Sequence, residues 1–250
     1  MKNLTKIILA LILTVALFAG CSGKKQAKPP VLKTPEEKAV SVTNDEAKKN
    51  VESAIELSNY IKSDGEEATT YAYKSDMIND FDLHYDLKLD ADTKINLPYS
   101  YPITRSNGWE VESAYNNLML KPRAMTNVVS KKGGKEVMLY LNNFTENEIR
   151  CTNGIITRVK IDIYSKEDGY AKLLDTAPEF KIGNSIDAKT DIKGIIEAIG
   201  EPSKITCSID GDKCTDITLM YQNVAKNDWL KFVLSPDGKK IVSVDYNVEK

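Results

Sequence analysis

At 250 residues with 42% hydrophobic side chains, the chain is long enough to bury one or two ordinary cores. Its formal net charge is -2, and loss of the first twenty residues, with Lys2 and Lys6, would take that to -4. A mildly acidic chain with no basic stripe lacks the phosphate-neutralising surface of a nucleic-acid binder, so no nucleic-acid partner is expected.

Lys2 and Lys6 precede an apolar run, residues 7–18, interrupted only by Thr14. The run is shorter than the ~20 residues that cross a bilayer, and it ends in Ala19-Gly20-Cys21, the shape of a secretory signal with a cleavage site. A small pair admits a peptidase, and a thiol takes a diacylglyceryl group as a thioether. Leu17-Phe18-Ala19-Gly20-Cys21 resembles a bacterial lipobox, with Phe18 where Leu is more usual. The expectation is a signal peptide at 1–20 that is removed. Lipidation of Cys21 would then hold the chain to the cell membrane at its extracytoplasmic face. The competing readings are an uncleaved signal anchor and a plain signal peptide with a chance cysteine.

Residues 21–43 continue with Ser, Gly, Lys, Gln and adjacent prolines and few large apolar groups, so they read as a flexible tether. Thr43 with Glu46 three residues on is a capping box that opens a helical segment, 44–79. Val51, Ala54, Ile55, Ser58 and Ile61 share one helical face, and Gly65 is a natural stop. Residues 66–79 suit either element: Tyr71 and Tyr73 alternate, while Ala68, Ala72 and Ser75 fit a helix.

In "FDLHYDLKLD", residues 81–90, the period becomes two. Phe81, Leu83, Tyr85, Leu87 and Leu89 take one face and Asp82, His84, Asp86, Lys88 and Asp90 the other. Strands follow at 109–115, 123–130, 135–144 and 155–164, with Gly133-Gly134 as a hairpin turn. Ile192, Ile195, Ile196 and Ile199 place a helix over 188–199, which Gly200 and Pro202 terminate. Strands at 204–209, 214–221, 229–234 and 240–248 complete the chain, with "SPDGK" as a turn between the last two. The halves 80–170 and 171–250 rhyme: in each, a short segment ends at Gly108 or Gly200 and leads into an antiparallel meander. The fold class is therefore α+β, antiparallel β-sheet meanders with few helices, and the rhyme suggests two tandem helix-plus-three-strand repeats.

The stretches "INLPYSYPITRSNGWEVE", "LKPR", "MLYLNN", "IRCTNGI", "IGNSIDAKTDIKGIIEAIGEPSK", "LMYQ" and "LKFVLSPDGKKIVSVDYN" resemble a group of clostridial-type Gram-positive surface lipoproteins of unknown function. The C-terminal half, a helix with Gly-x-Pro and then a meander, resembles the BamE-type small lipoproteins and the β-lactamase-inhibitor-like fold. That second resemblance implies a protein-binding, non-catalytic module.

His84 is the one histidine, which excludes a multi-histidine metal site and leaves a single candidate for any histidine-dependent triad. Its place on the polar face of a strand reads as an exposed side chain. Cys207 and Cys214 flank the turn in "CSIDGDKC", and strand positions beside such a turn suit a disulfide; Cys151 is then left as a small buried residue. Asp90/Asp92 and Asp210/Asp212 lack the downstream Glu of a calcium loop, and no phosphate loop or serine-acyl motif is present, so no metal and no cofactor are expected. Tyr99, Tyr101 and Trp109 cluster after Leu97-Pro98 as a candidate interaction surface. These features point to a lipid-anchored binding protein with an envelope or surface protein partner and no catalytic activity. The alternative is an envelope-acting hydrolase using paired carboxylates.

Overall fold

Nine segments of five to eleven residues form the main strands, most of them alternating apolar and polar residues. The computed structural model describes residues 38–74 and 81–249, which belong to one unit, Glu37–Lys250. The signal run, Cys21 and most of the tether lie outside the described residues. The strands are β1 (Tyr60–Asp64), β2 (Ala68–Tyr73), β3 (Met125–Lys132), β4 (Lys135–Asn142), β5 (Ile155–Asp162), β6 (Lys204–Asp210), β7 (Lys213–Asn223), β8 (Asp228–Leu234) and β9 (Ile241–Asn247). Together with Val42–Thr43, Tyr99–Ser100 and Glu110–Val111 they make one twelve-stranded sheet, ordered β1-β2-β6-β7-β8-β9-β5-β4-β3 with Glu110–Val111 outermost. Every pairing is antiparallel.

The two halves of the chain share this sheet. Their last strands, β5 and β9, lie side by side with Lys160 opposite Asp245. A separate three-stranded sheet joins Lys181–Ile182, Leu87–Lys88 and Lys94–Ile95. Gly133 and Gly134, at φ +56° and +79°, close β3 onto β4 in the two-residue turn that requires positive φ at both positions.

Helices are few: α1 (Asn44–Glu52), α2 (Tyr101–Ser106) and α3 (Ile192–Ile199). The capping box is present, with Thr43 and Glu46 satisfying each other's backbone N–H groups at 3.0 and 3.3 Å. Among the described residues no helix is long and apolar enough to cross a membrane. Helices α1 and α3 contribute Ala47, Val51, Ile192 and Ile195 to the core that the sheet closes from below with Leu139, Val159, Leu219, Leu230, Phe232 and Val244. Among the described residues, helices cover only this face of the sheet.

Several expectations change. Of the strand expected at 109–115 only Glu110–Val111 pairs, and Ser113–Tyr115 turn as a 3-10 helix. The first helix stops at Glu52, capped by Ser53, instead of running to Gly65. Residues 60–64 pair with 68–73 as a hairpin, which satisfies backbone groups over a longer range and leaves Ile61 59% exposed on the sheet edge. The ambiguous residues 68–73 are therefore strand, while 75–80 lie outside the described residues. Residues 81–90 keep their alternation, with Leu83, Leu87 and Leu89 buried, yet only Leu87–Lys88 enters a ladder. Their backbone groups are met by side chains instead: the Tyr246 hydroxyl donates to the Leu83 carbonyl and accepts from the Tyr85 N–H.

Candidate functional site

Cross-strand partners in an antiparallel sheet point to the same side, so the register alone maps the uncovered face. One row across it reads Lys204, Met220, Lys231, Asp245, Lys160, Met138, Val129. The adjacent row reads Gln222, Trp229, Asn247, Arg158, Tyr140, Asn127. These residues alternate with the core set; Asp245 and Asn247 at the centre are buried, and Met220, Lys231, Lys160, Met138, Trp229, Arg158 and Tyr140 around them are half-buried.

The centre of the two rows is an arginine held between aromatic rings. Arg158 donates from Nε and Nη2 to the two carboxylate oxygens of Asp245 at 2.7 and 2.6 Å. Its guanidinium carbon lies 4.3 Å from the Tyr140 ring centre and 5.3 Å from that of Trp229. A bidentate pair flanked by rings fixes the guanidinium plane and leaves its faces stacked. The hydrogen bonds to Asp245 push the Arg158 pKa up, so the cation is permanent. Lys231 Nζ stands 3.6 Å from the same carboxylate, whose side chain is 4% exposed. At the neighbouring bulge, Asn142 Nδ2 donates to Thr157 Oγ1 at 2.6 Å and ties β4 to β5.

Shallow depressions surround the rows. Met220, Gln222, Val224 and Trp229 line one of about 220 Å³. At the other end the chain after β5 forms a wall, tied down by the Tyr170 hydroxyl donating to the Thr215 carbonyl at 2.7 Å. Leu174 from this wall separates hollows of about 170 and 640 Å³. The arrangement presents stacked rings, thioethers and fixed positive charge on a broad, open surface. Such a surface binds by contact area and charge.

The aromatic segment expected to form an interaction surface is instead a core latch. Tyr101 and Trp109 are 0% and 1% exposed, and Tyr99 is half-buried. The Tyr101 hydroxyl donates to the Trp109 carbonyl at 3.1 Å and accepts from the Val111 N–H at 3.0 Å. Helix α2 turns the rings inward, because Pro102 starts a helix just where the cluster begins.

Trp109 Nε1 donates to Asp90 at 2.9 Å. The same carboxylate accepts the Asp92 and Thr93 N–H groups at 2.8 and 2.7 Å and faces Lys132 Nζ at 2.9 Å. Burial alone would raise the Asp90 pKa, but Lys132, the Asp92 N–H, Thr93 and Trp109 outweigh it and hold it at about 2. Asp90 therefore stays ionised at neutral pH and has no proton to donate as a general acid. A depressed folded-state pKa stabilises above the unfolded value and loses that stability as pH falls through the folded one. Asp90→Asn is thus expected to cost about 2 kcal/mol at pH 7 and to flatten the loss of stability between about pH 4 and pH 2, read by urea unfolding across that range.

The Cys207–Cys214 bridge is not formed. Cys151, Cys207 and Cys214 are free and buried. The ladder sets Cys207 against Ile217 and Cys214 against Ile209, with a bulge between Ser208 and Ile209. The two thiols are thus staggered by two positions along β6, roughly 7 Å at ~3.4 Å per residue, beyond comfortable bridging range. Burial pushes Cys207 and Cys214 up to about 12, helped by Cys214 for the first and Asp216 for the second; burial also raises Cys151, whose Sγ donates to the Tyr115 carbonyl at 2.9 Å. Reductant should leave the melting temperature unchanged, whereas loss of a bridge worth about 2 kcal/mol would lower it by several degrees. His84 is exposed beside Asp82 at 3.8 Å. Asp210 and Asp212 sit at the exposed β6–β7 turn. Among the described residues no group of three or more His, Cys, Asp or Glu side chains converges as a metal site would require.

The face itself has no local signature in the chain, since its members come from strands far apart in sequence. The signal available was the outward set of each strand: Tyr140, Lys160, Lys231 and Asp245 each stand between two apolar neighbours, and Arg158 and Trp229 each precede one. No protein-family model matches the chain, no curated protein is detectably similar to it, and no solved structure matches its fold.

Proposed function

We propose that the protein is a non-catalytic binding protein, held by a lipid on Cys21 at the extracytoplasmic membrane face, whose open sheet face receives an acidic protein surface. The observation that carries this reading is the charge and chemistry of the two rows. They hold four cations, Lys160, Lys204, Lys231 and Arg158, against the carboxylate of Asp245 and that of Asp162 beside Lys160 at 3.3 Å, on a chain whose net charge is -2. Trp229, Tyr140, Met138 and Met220 supply the aromatic and thioether surface that anchors protein interfaces. Complementary charge steers the encounter and sets its salt dependence.

The test is crosslinking in the native cell with three forms of the full chain: wild type, Cys21→Ala, and Lys204→Glu/Lys231→Glu. The proposal expects one protein adduct with wild type, its loss on reversal of the two lysines, and release of Cys21→Ala from the membrane fraction. An adduct that survives the charge reversal would refute the proposed face. A Cys21→Ala chain that stays with the membrane would refute the anchor.

The repeat belongs to the same proposal. Helix α2 is followed by Gly108 at φ +89°, then Glu110–Val111, β3, β4 and β5; helix α3 is followed by Gly200 at φ +93°, then β6, β7, β8 and β9. The two series enter the sheet in mirrored order and meet at β5 and β9, as a two-fold related pair would. We infer a duplicated helix-plus-meander unit. An experimental structure in which 101–162 and 192–247 superpose element for element supports it, and one in which they do not overturns it.

A further inference from the structure

A further concavity shares no residue with the two rows of the open face, and meets the 640 Å³ hollow beside them at Tyr164. It is a cleft of about 560 Å³ between the three-stranded sheet and the segment that follows β5, within the size range of small-molecule sites. Ile163, Leu173, Ala177, Pro178, Phe180 and Ala188 give it an apolar lining, of which Leu173 remains 48% exposed. Its rim carries Lys88, Lys135, Lys181 and Lys189.

The charges on this rim are only partly compensated from within. Lys88 and Lys181 stand directly opposite each other in the ladder, and Lys94 follows on the other side of Lys88. Like charges directly opposite are destabilising, so such a row is a cost to the protein alone. Lys94 is neutralised by Asp86 at 2.7 Å. Among the described residues, Lys88, Lys181 and Lys189 have no carboxylate within ion-pair distance. Two of the three acids on the lining already hold hydrogen-bond donors. Asp90 is saturated by its donors, and Asp187 accepts the Lys189 N–H at 2.9 Å and lies 3.4 Å from the Thr190 hydroxyl. Asp187 and Glu179 thus set two negative charges against the four lysines of the rim.

We propose that this cleft binds a small apolar organic anion, its charged group between Lys88 and Lys181 and its hydrocarbon body on Leu173 and Phe180. Lysine suits this task as a flexible point charge that does not demand a planar acid. The apolar floor supplies the affinity and the lysines select charged over neutral ligands. The ligand also relieves the repulsion between the facing lysines, so binding and stability are linked.

The probe is 2-naphthoate, compared with neutral 2-naphthalenemethanol by isothermal titration on the full chain. Wild type is expected to bind the naphthoate at least about tenfold more tightly than the alcohol. Lys88→Gln/Lys181→Gln should bring the naphthoate down to the alcohol's affinity and, without ligand, raise the melting temperature. Leu173→Ser, at an exposed position, should weaken both ligands while the fold is retained. Inorganic phosphate alone should compete poorly, since it lacks the apolar body. Equal affinity of wild type for the two naphthalenes, naphthoate binding untouched by the double lysine variant, or no binding at millimolar ligand would each overturn the proposal.

Discussion

Phe232→Ala is expected to lower the unfolding free energy by about 4 kcal/mol, while Trp229→Ala, three positions away on the same strand, costs less than about 1 kcal/mol. Phe232 is fully buried and packs edge-on against Tyr221, with ring centres 6.2 Å apart and planes at 87°. Its removal leaves a cavity that Leu230 and Leu234 cannot fill without leaving their own sites. Trp229 points the other way, onto the uncovered face, where its ring lies over Arg158 and solvent replaces it on truncation. Indole and phenyl rings are both large and apolar, so hydrophobicity alone would rank the tryptophan higher. The inverted order is the signature of a sheet with one covered face. Urea unfolding of the two variants reads it, and equal losses would mean that a further element covers Trp229.

Asp245→Ala carries the second large effect, about 3 kcal/mol. The carboxylate is 4% exposed and accepts both nitrogens of Arg158, so its loss strands a cation that is itself only 27% exposed. Lys231 loses the same counter-charge. Surface ion pairs are worth little, but this one is buried by the rings on either side and cannot be replaced by water at full strength. The double change Arg158→Met/Asp245→Leu removes both charges together and should recover most of the loss. A single variant as stable as wild type would show that the pair contributes nothing to the face's order. Because one cation and one anion leave together, the net charge of the face is unchanged, and the double variant gives a folded protein that lacks only the stacked guanidinium for binding assays.

Much of the architecture was legible because strands of seven or more residues carry their alternation openly. β4 reads Val137, Leu139, Leu141 inward, and the Gly133-Gly134 turn and the Thr43–Glu46 cap sit where their chemistry demands. Helix α2 was missed because six residues hold too few turns for a period, and only Pro102 marks its start. β1 was read as helix because Ile55, Ser58 and Ile61 keep helical spacing, while the pairing that decides the matter comes from residues five to thirteen positions later. Tyr101 and Trp109 were placed outside because an aromatic cluster has no direction until a neighbouring element turns it. Arg158 and Asp245 are 87 residues apart, and the cleft lysines are further apart still. Neither site exists before the sheet assembles.

The most direct measurement of the open face as the binding surface is site-specific photocrosslinking in the cell, with benzoylphenylalanine placed at Met220 on that face or at Lys193 on the outward side of α3. The account predicts a protein adduct from Met220, lost when Lys204 and Lys231 are reversed, and none from Lys193. An adduct from Lys193 with none from Met220 would contradict it and move the interface to the helical side of the sheet.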